Sequence, residues 1–420
     1  MTQPTADGPL EGYRVLEMGS TVAGPFCGRL LADFGAEVIK VEPAEGDPVR
    51  TMGKRFHGKS LYAASIFRNK ALISVDLRTA EGQDIVRELA QKSDVVVENF
   101  RPGGLEKWGI GYAQLSALNP RLIMVRISGF GQDGPYSQRA GYGVIGEAVS
   151  GLRHLTGDPD RPPSRVAVSM TDYITGLYAA FGAALALLAR EKTGRGQYID
   201  AALYECAFSF MEPWIPAYEK LGHVANRCGS RLPESTPNNL YPTGDRQFIH
   251  VTAMGEPVFK RLVQAMGRPE LAADPRFATA TARSEHHEAI DDLIAQWTSR
   301  HPLAELEAVL EKALVPATRV YTIADIFGDR HYRERGSIVA APDDELGSVS
   351  MAAPVPRLSA TPGAVRHAGH RTGQDTRRVL AEVLGLSPER IGALEKAGVI
   401  ACDPHTDGAA GRTDSAAVAF

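Results

Sequence analysis

Short apolar runs alternate with helix-like segments through the first part of the chain. The strand-like runs, rich in β-branched residues, are residues 13–19, 37–42, 72–77, 94–100 and 122–127. The segments with helix signals between them are residues 25–35, 81–92 and 112–118. An order of strand, helix and strand favours a parallel sheet that is covered by helices on both faces. We therefore predict an α/β protein built on a doubly wound parallel sheet.

The later part of the chain predicts a second, smaller unit. Residues 223–244 are irregular, with clusters of Gly, Pro and Asn, and are typical of a crossing between domains. The predicted elements before it are helices at 141–154 and 202–211 and a strand at 194–200. Those after it are strands at 247–253 and 315–321, helices at 257–266, 285–298 and 302–314, a strand-like stretch at 339–360, and helices at 374–384 and 388–396.

These segments predict how the chain is divided. We expect a large domain from residues 1–222 and 335–402, because the last two helices return the chain to the first domain. Residues 223–334 then form a small α/β domain. Residues 403–420 have too little apolar content to pack, so we predict a disordered tail.

One carboxylate stands at a sharp change in the pattern. Asp172 precedes an apolar run rich in Gly and Ala at residues 174–188. The Thr171-Asp172 pair marks a helix start, where the helix dipole and the free backbone N–H groups favour an ionised carboxylate. The run is shorter than the ~18–20 residues that a bilayer span needs, so we predict a buried helix. From spacing alone Asp172 is either a helix cap, the commoner role, or a nucleophile.

The turns after the first strands carry candidate ligand-binding residues. In the first turn, residues 19–24, Thr21 stands where the fingerprint GxGxxG has its second glycine, which argues against a dinucleotide site. Residues 46–59 are basic and rich in glycine, and we predict a loop there. Arg101 follows the strand at 94–100. Loops with Arg or Lys after successive strands indicate a ligand at the carboxyl edge of the sheet.

Charge and cysteine content exclude several classes of partner and site. A formal net charge of −4 and a pI near 6.3 give no support for binding to nucleic acid or to a membrane surface. The four cysteines are scattered, without CxxC pairs or Cys/His ligand spacing, which argues against structural zinc and favours reduced thiols. The N-terminus lacks the pattern of a signal peptide. We therefore expect a cytoplasmic enzyme with no metal, no nucleic-acid partner and no membrane partner.

A series of motifs in a fixed order resembles the class III CoA-transferases, the group of formyl-CoA transferase, carnitine CoA-transferase and α-methylacyl-CoA racemase. The resemblance runs from about residue 10 to residue 400. Its motifs are AGP at 23–25, GAEVIKVEP at 35–43, NK at 69–70, SVDL at 74–77, DVVVENFRPG at 94–103, SG at 150–151, DYITG at 172–176, KTGRGQ at 192–197, GLSPERI at 385–391 and GVI at 398–400. Each motif is weak alone, and their order and number carry the resemblance.

The resemblance implies a fold, an assembly and a set of site residues. The fold is a Rossmann-like large domain with a small domain, and two subunits form an interlocked homodimer. Asp172 falls on the family's essential aspartate, acyl-CoA is a substrate, and no cofactor is bound permanently. Thr21 and Val22 are expected to contact coenzyme A through their backbone. Basic side chains are expected to bind its phosphates, and the candidates, each of which is alternatively a solvated surface charge, are Arg68, Lys70, Arg101 and Lys107.

The implied reaction is covalent transfer of coenzyme A through the carboxylate. Asp172 attacks the donor thioester to give an acyl-aspartyl anhydride, and the released CoA thiolate converts the anhydride into an aspartyl-CoA thioester. The acceptor acid attacks next, and the thiolate returns to complete the exchange. Oxyanions develop at each step, so nearby backbone N–H donors are expected to matter.

Two features bear on the branch of the family. The racemase branch has a His directly after an Ala-Gly pair, and here Tyr142 occupies that place, which favours a transferase. Glu256, before Pro257, matches a Glu-Pro pair of the racemase branch. A racemase of α-methylacyl-CoA type is therefore the alternative, and a plain helix start explains Glu256 equally well.

The substrates and the other function classes are the remaining expectations. We predict succinyl-CoA as the donor and a small dicarboxylic or hydroxy acid as the acceptor. The candidates for contact with the acceptor are Tyr142, Arg55, His57, Arg227 and Arg231, of which the basic side chains suit its distal carboxylate. A nucleotide-dependent dehydrogenase is one alternative function, and the absence of the GxGxxG fingerprint argues against it. A non-catalytic CoA-binding protein is another alternative, and such a protein would bind CoA without turnover.

Overall fold

The structure, a computed structural model, describes residues 8–406. The chain divides into two compact units. The first contains the described chain up to Leu152, Val166–Glu212 and the chain from Arg335 onwards, and the second contains Arg153–Arg165 and Pro213–Glu334. Compared with the division that we predicted at residue 222, the second unit also takes in Arg153–Arg165 and residues 213–222.

The strands of the described chain alternate with its helices. The strands are β1 (Arg14–Glu17), β2 (Glu37–Glu42), β3 (Arg55–Phe56), β4 (Lys59–Ser60), β5 (Lys70–Val75), β6 (Val95–Glu98), β7 (Ile123–Ser128), β8 (Tyr198–Ala202), β9 (Asn238–Pro242), β10 (Phe248–Thr252), β11 (Ala317–Arg319), β12 (Ile338–Asp343), β13 (Gly347–Ala352) and β14 (Ile400–Ala401). The helices are α1 (Ala23–Asp33), α2 (Leu61–Ile66), α3 (Ala80–Gln91), α4 (Gly104–Lys107), α5 (Tyr112–Leu118), α6 (Gly143–Val149), α7 (Leu152–Leu155), α8 (Met170–Thr193), α9 (Leu203–Phe208), α10 (Trp214–Leu221), α11 (Glu256–Ala265), α12 (Ala280–Glu285), α13 (His287–Thr298), α14 (Leu303–Lys312), α15 (Ile323–Gly328), α16 (Arg330–Glu334), α17 (Thr376–Leu384) and α18 (Pro388–Lys396).

The first unit is organised around a seven-stranded sheet with the order β14-β5-β2-β1-β6-β7-β8. All neighbouring strands are parallel except β14 and β5, which are antiparallel. Counted in chain order, the six parallel strands are arranged 3-2-1-4-5-6, the order of doubly wound nucleotide-binding sheets. The predicted α/β fold with a doubly wound parallel sheet is therefore confirmed. The order reverses between β1 and β6, and ligands of such sheets bind at this switch point.

The alternation of side chains along the strands divides the core between the two faces of the sheet. Val15 packs into the cluster that α1 and α8 cover, whereas its neighbour Leu16 packs into the cluster that α3, α17 and α18 cover. All residues of β6 and β7 are buried. Strands buried on both faces have continuous apolar runs, and this is why the sequence shows them so clearly.

Helix α8 carries the apolar run that follows Asp172. By length and composition it is the one helix among residues 8–406 that could cross a membrane, with 39% of its apolar window buried. A single helix of this kind is weak evidence for a membrane span, because core helices of soluble proteins have the same properties. Its small residues Ala179, Ala183 and Ala186 are buried in the first unit's core, where the helix packs on α1. The sequence predicted a buried helix, and this prediction is correct for the face that carries the small residues.

The second unit contains a three-stranded antiparallel sheet with the order β11-β10-β9. Helices α11, α13 and α14 cover it with buried apolar side chains such as Phe259, Ile290 and Leu306. Arg283 is fully buried in this unit, where its guanidinium lies 4.5 Å from the centre of the Phe259 ring and donates to backbone oxygens. This unit therefore has a core of its own.

Several boundaries differ from the predictions. The helix predicted at 141–154 is interrupted at Gly151, which has φ of +90°, and forms α6 and α7. The irregular stretch predicted at 223–244 contains β9, and the loop predicted at 46–59 contains the start of the hairpin β3–β4. The packed chain continues to Asp403, a buried residue of the predicted tail that accepts a hydrogen bond from Arg371. The tail from residue 407 onwards lies outside the described residues.

Candidate active site

A cavity of about 330 Å³ lies in the first unit at the switch point of the sheet. The loops after β1 and β6 reach this point from the two central strands, and the loop after β7 adds a third wall. The start of α8 adds Asp172. The cavity is lined by residues 20–23, 48, 99–102, 127–129, 137, 139–142, 172 and 203. This edge is where the loop cations led us to expect a ligand.

Asp172 lies in the first turn of α8 and is half-buried at the cavity wall. Ser169, not Asp172, occupies the N-cap position, and Asp172 is the third residue of the helix. Its carboxylate lies against the backbone of Gly143, the first residue of α6: a Cβ atom at Gly143 would be 1.9 Å from Oδ2. A side chain at residue 143 would therefore have to displace the carboxylate from this position.

Small residues on α8 set the distance between Asp172 and the loop after β1. A Cβ at Gly176 would lie 2.7 Å from the Ala23 oxygen and 3.0 Å from Cδ1 of Phe26, so only glycine permits this approach of α8 to α1. Because α1 directly continues the loop after β1, the contact fixes both cavity walls together. The Gly- and Ala-rich run thus positions Asp172 through packing.

The loop after β1 is held by side chains from the loops that follow the neighbouring strands β2 and β6. Asn99 accepts from the Ser20 N–H at 2.8 Å and donates to the Ser20 oxygen at 2.9 Å. Thr21 has φ of +67°, and its N–H is bonded to Asp47 at 3.0 Å. Val22 is buried, and its side chain packs with Val49 and Phe67. Thr21 and Val22 therefore line the cavity, and their contact with coenzyme A stays a prediction; the Thr21 N–H is already bonded within the protein.

The loop after β6 is also fixed by buried charges. Glu98 accepts from the Phe100 N–H at 2.8 Å and from Arg126 Nε at 3.0 Å. Burial raises the pKa of Glu98 to about 7, although Arg126 opposes this rise. Arg101, which comes three residues after Glu98, is exposed at the cavity. The strand predicted at 94–100 ends at Glu98, and this leaves Asn99, Phe100 and Arg101 in the loop.

The loop after β7 contributes a cation and an aromatic side chain. Arg139 lines the cavity, with its guanidinium carbon 3.5 Å from the centre of the Tyr136 ring. Tyr142, at the N-cap position of α6, also lines the cavity and is largely exposed. Arg139 was not among the predicted site residues. Its position after the third of these strands was the signal that could have found it.

Two of the predicted phosphate-binding cations are buried in ion pairs. Arg68 donates from Nε and Nη2 to Asp33 and from Nη1 to the Ala352 oxygen. Lys70 Nζ lies 2.6 Å from Glu17 Oε2, and burial lowers its pKa to about 8 although Glu17 opposes this fall. Neither side chain reaches solvent. The prediction that Arg68 and Lys70 contact coenzyme A needs correction, because both stabilise the interior.

The other predicted residues of the first unit lie at the surface. Lys107 is the exposed last residue of α4, outside the cavity wall. Arg55 and His57 are exposed in the hairpin region, where His57 packs edge-on against Phe56. His57 borders a separate depression and not the cavity that contains Asp172. The structure therefore brings Arg101 and Tyr142 together with Asp172, but not Arg55, His57 or Lys107.

The remaining predicted residues belong to the second unit. Arg227 donates to the backbone oxygens of Asp158 and His154. Burial raises the pKa of Asp291, and the positive charge of Arg231 opposes this rise. Glu256 is the exposed first residue of α11, with Pro257 after it. A helix start explains this position of Glu256.

A second cavity of about 300 Å³ adjoins the first and shares Ser20, Pro48 and Phe100 with it. Its wall includes Arg78, which is paired with Asp76 at 2.8 Å, and residues from the turn after β2. Arg78 directly follows the SVDL motif, and the same rule that selected Arg101 would have found it. Two adjoining cavities provide an elongated site along the carboxyl edge of the sheet.

Behind Asp172, the Tyr173 hydroxyl donates to the Tyr62 hydroxyl at 2.9 Å. Burial and the nearby charge of Asp172 raise the pKa of Tyr62. The pair ties the first turn of α8 to α2. Within residues 8–406, no group of three or more His, Cys, Asp or Glu side chains is arranged to hold a metal ion.

Comparison with known proteins gives consistent matches. The sequence profile described as CoA-transferase family III matches residues 10–376. The chain is 49% identical to succinyl-CoA–D-citramalate CoA-transferase of Chloroflexus aurantiacus, over 93% of this chain and 98% of that protein. It is 42% identical to the beta subunit of succinyl-CoA–L-malate CoA-transferase of the same organism, over 93% of this chain and 98% of that subunit.

A solved structure agrees with these sequence matches. The crystal structure of a CAIB/BAIF family protein from Brucella suis superimposes with a TM-score of 0.80 and 35% sequence identity. The match covers 90% of this chain and the whole of that chain.

Proposed function

The chain belongs to CoA-transferase family III, and we propose that it transfers coenzyme A from succinyl-CoA to a small hydroxy-dicarboxylic acid through Asp172. Membership of the family makes the chain a CoA-transferase, with an acyl-CoA as substrate. The observation that carries the proposal for Asp172 is its placement in the cavity at the switch point of a doubly wound sheet. Ligands of such sheets bind at this point.

The identity of the donor and the acceptor is inferred from relatives that match nearly along their whole length. Both Chloroflexus enzymes use succinyl-CoA, and their acceptors, citramalate and malate, are hydroxy-dicarboxylic acids. Exposed guanidinium groups suit such acids, because an Arg pairs with a carboxylate through two parallel hydrogen bonds. Arg101 and Arg139 both line the cavity with Asp172, and either is suited to the carboxylate that does not react.

The proposed reaction conserves the energy of the thioester through two kinds of covalent intermediate. The Asp172 carboxylate attacks the succinyl-CoA carbonyl, and the C–S bond breaks to give a succinyl-aspartyl anhydride and CoA thiolate. The thiolate attacks the aspartyl carbonyl and releases succinate, which leaves an aspartyl-CoA thioester. The acceptor carboxylate displaces the thiolate to form a second anhydride. The thiolate finally attacks the acceptor carbonyl, which regenerates the Asp172 carboxylate.

We also propose that the chain assembles as a homodimer. One face of α8 leaves four apolar side chains between 50% and 64% exposed, and they are Leu177, Phe181, Leu185 and Leu188. An apolar stripe of this kind on a soluble protein supports an interface with another chain. A second copy of this chain is the occupant that the family resemblance implies.

The test of the function is CoA exchange measured by mass spectrometry with a panel of acyl-CoA donors and free acids. We expect turnover with succinyl-CoA and hydroxy-dicarboxylic acids, loss of exchange in Asp172→Asn, and trapping of the wild-type acyl-enzyme by hydroxylamine. Asp84→Asn, on the exposed side of α3, is the matched control and is expected to retain exchange. Equal rates with monocarboxylic acids would contradict the substrate proposal, and full exchange by Asp172→Asn would contradict the role of Asp172.

A further inference from the structure

Thr21 adopts a backbone conformation that its residue type disfavours. Its φ of +67° lies in the left-handed region, where a β-branched side chain is an outlier and glycine is preferred. Thr21 belongs to the turn after β1, and it lines the wall of the cavity that contains Asp172. Such strain persists only where the surrounding structure holds it in place, and it is frequent at functional sites.

The Asp47 carboxylate stabilises this backbone conformation of Thr21. Its two carboxylate oxygens accept from the Thr21 N–H at 3.0 and 3.2 Å, and Oδ1 also accepts from the Val49 N–H at 2.9 Å. Asp47 is 3% exposed, so water does not compete for these bonds. The carboxylate therefore binds the strained backbone amide and fixes the start of the Pro48–Thr51 turn at the same time.

Lys40 connects Asp47 to the residue before the strained segment. Its ammonium donates to the Gly19 oxygen at 2.6 Å and lies 3.0 Å from Asp47 Oδ2. Glu17 Oε1 is 3.4 Å from the same nitrogen. Burial opposes the charge of Lys40, but these carboxylates more than offset it and raise its pKa. The buried charges thus hold both ends of the Gly19–Thr21 backbone.

We propose that Asp47 and Lys40 are positioning residues, which keep Thr21 and its neighbours in the one conformation that receives the acyl-CoA. The inference rests on the proposed function, because the proposed function makes acyl-CoA the ligand of this cavity. A loop that is already in its bound conformation loses little entropy on binding, so the affinity for CoA is higher than that of a free loop. Asn99, in the loop after β6, supports the same loop through its two bonds to Ser20.

The test is a double-mutant cycle between Asp47 and Thr21, with free coenzyme A as the probe in titration calorimetry. Asp47→Ala is expected to raise the Kd for CoA by about 10-fold, since the strained loop is no longer held. Thr21→Gly alone is expected to raise it by about 3-fold, because glycine adds flexibility. Since glycine adopts positive φ without strain, Asp47→Ala in the Thr21→Gly background is expected to add less than about 3-fold.

A second variant and a control keep the test decisive. Asp47→Asn, which retains one acceptor oxygen, is expected to give an intermediate Kd and replaces Asp47→Ala if that variant does not fold. Asp33→Asn removes another buried charge, the partner of Arg68, and is expected to lower the unfolding temperature without changing the Kd. Additive effects of Asp47→Ala and Thr21→Gly, or an unchanged Kd in both Asp47 variants, would overturn the inference. Wild-type protein that neither binds CoA nor exchanges it would overturn the proposed function, and the inference with it.

Discussion

At the scale of single residues, Gly143 lies directly against the Asp172 carboxylate. A Cβ on Gly143 would lie 1.9 Å from Oδ2 and 2.7 Å from Cγ, far inside contact distance. Gly143→Ala therefore has to displace the carboxylate. A displacement of about 1 Å at a reacting group costs on the order of 100-fold in rate, and we expect kcat/KM for CoA exchange to fall by about this factor.

Initial rates of CoA exchange check this prediction. Gly392 is the matched control, because it also lies in a helix and has no heavy atom within 4 Å of a built Cβ. Gly392→Ala is expected to leave the exchange rate unchanged. If Gly143→Ala exchanged CoA at the wild-type rate, the tight fit between Gly143 and Asp172 would have no bearing on catalysis.

Asp172 could be singled out from the sequence, whereas the expectation that Arg68 and Lys70 bind the phosphates of coenzyme A was wrong. This difference has a physical cause. Asp172 stands at a helix start that is visible locally, and its catalytic role stays a prediction. Arg68 and Lys70 lie in or beside motifs from which we predicted that basic side chains contact coenzyme A. Their partners, Asp33 and Glu17, are 35 and 53 residues away in the chain, so only the fold reveals the buried pairs. Local charge patterns do not report burial.

Among the secondary-structure elements, those with continuous apolar runs were predictable and those fixed by tertiary contacts were not. Strand β2 and helix α5 have the predicted bounds, and β6 lies within the predicted residues 94–100, because buried strands show continuous apolar runs and helices show a helical period. Strand β9 contains two Asn residues and ends at Pro242, a composition that disfavours strands. It is a strand because it pairs with β10 over five residues.

Helix α17 is held on the sheet by an acid whose ionisation makes stability depend on pH. Asp375 precedes this helix and accepts from the Leu72 N–H of β5 and from His370 Nδ1, each at 2.8 Å. Burial opposes ionisation, but the hydrogen bond and charge of His370, with further hydrogen bonds, lower the pKa of Asp375 from 3.8 to about 2. An acid with a lowered pKa stabilises the fold above its ordinary pKa and loses that effect as the pH falls through the folded value.

We therefore expect Asp375→Asn to lower the free energy of unfolding by about 2 kcal/mol near pH 6. The difference from wild type is expected to shrink between about pH 4 and pH 2, where the wild-type carboxyl takes up its proton. Urea unfolding at several pH values measures this, with Asp84→Asn, an exposed acid, as the control. A destabilisation that stays constant down to pH 2 would mean that the charge of Asp375 contributes nothing.

At the scale of the whole molecule, the two faces of α8 differ in burial: one packs within the chain, and the other is exposed. Its Gly- and Ala-rich face packs on α1 and the sheet, whereas Leu177, Phe181, Leu185 and Leu188 point away from the core that the chain itself provides. Exposing these side chains to water costs free energy in proportion to their apolar area. A second copy of the chain would cover the stripe, so charged side chains on this face are expected to weaken the dimer.

We expect wild-type protein to be a dimer in light scattering coupled to size-exclusion chromatography. The double variant Phe181→Asp and Leu185→Asp is expected to shift it towards monomer, because two carboxylates would have to be desolvated at the interface. Leu118→Asp, at an exposed apolar residue on α5, is the matched control and is expected to remain a dimer. A monomeric wild-type chain would contradict the dimer. Partitioning of wild-type protein into detergent or vesicles would instead assign the stripe on α8 to lipid, since its length and composition also permit that partner.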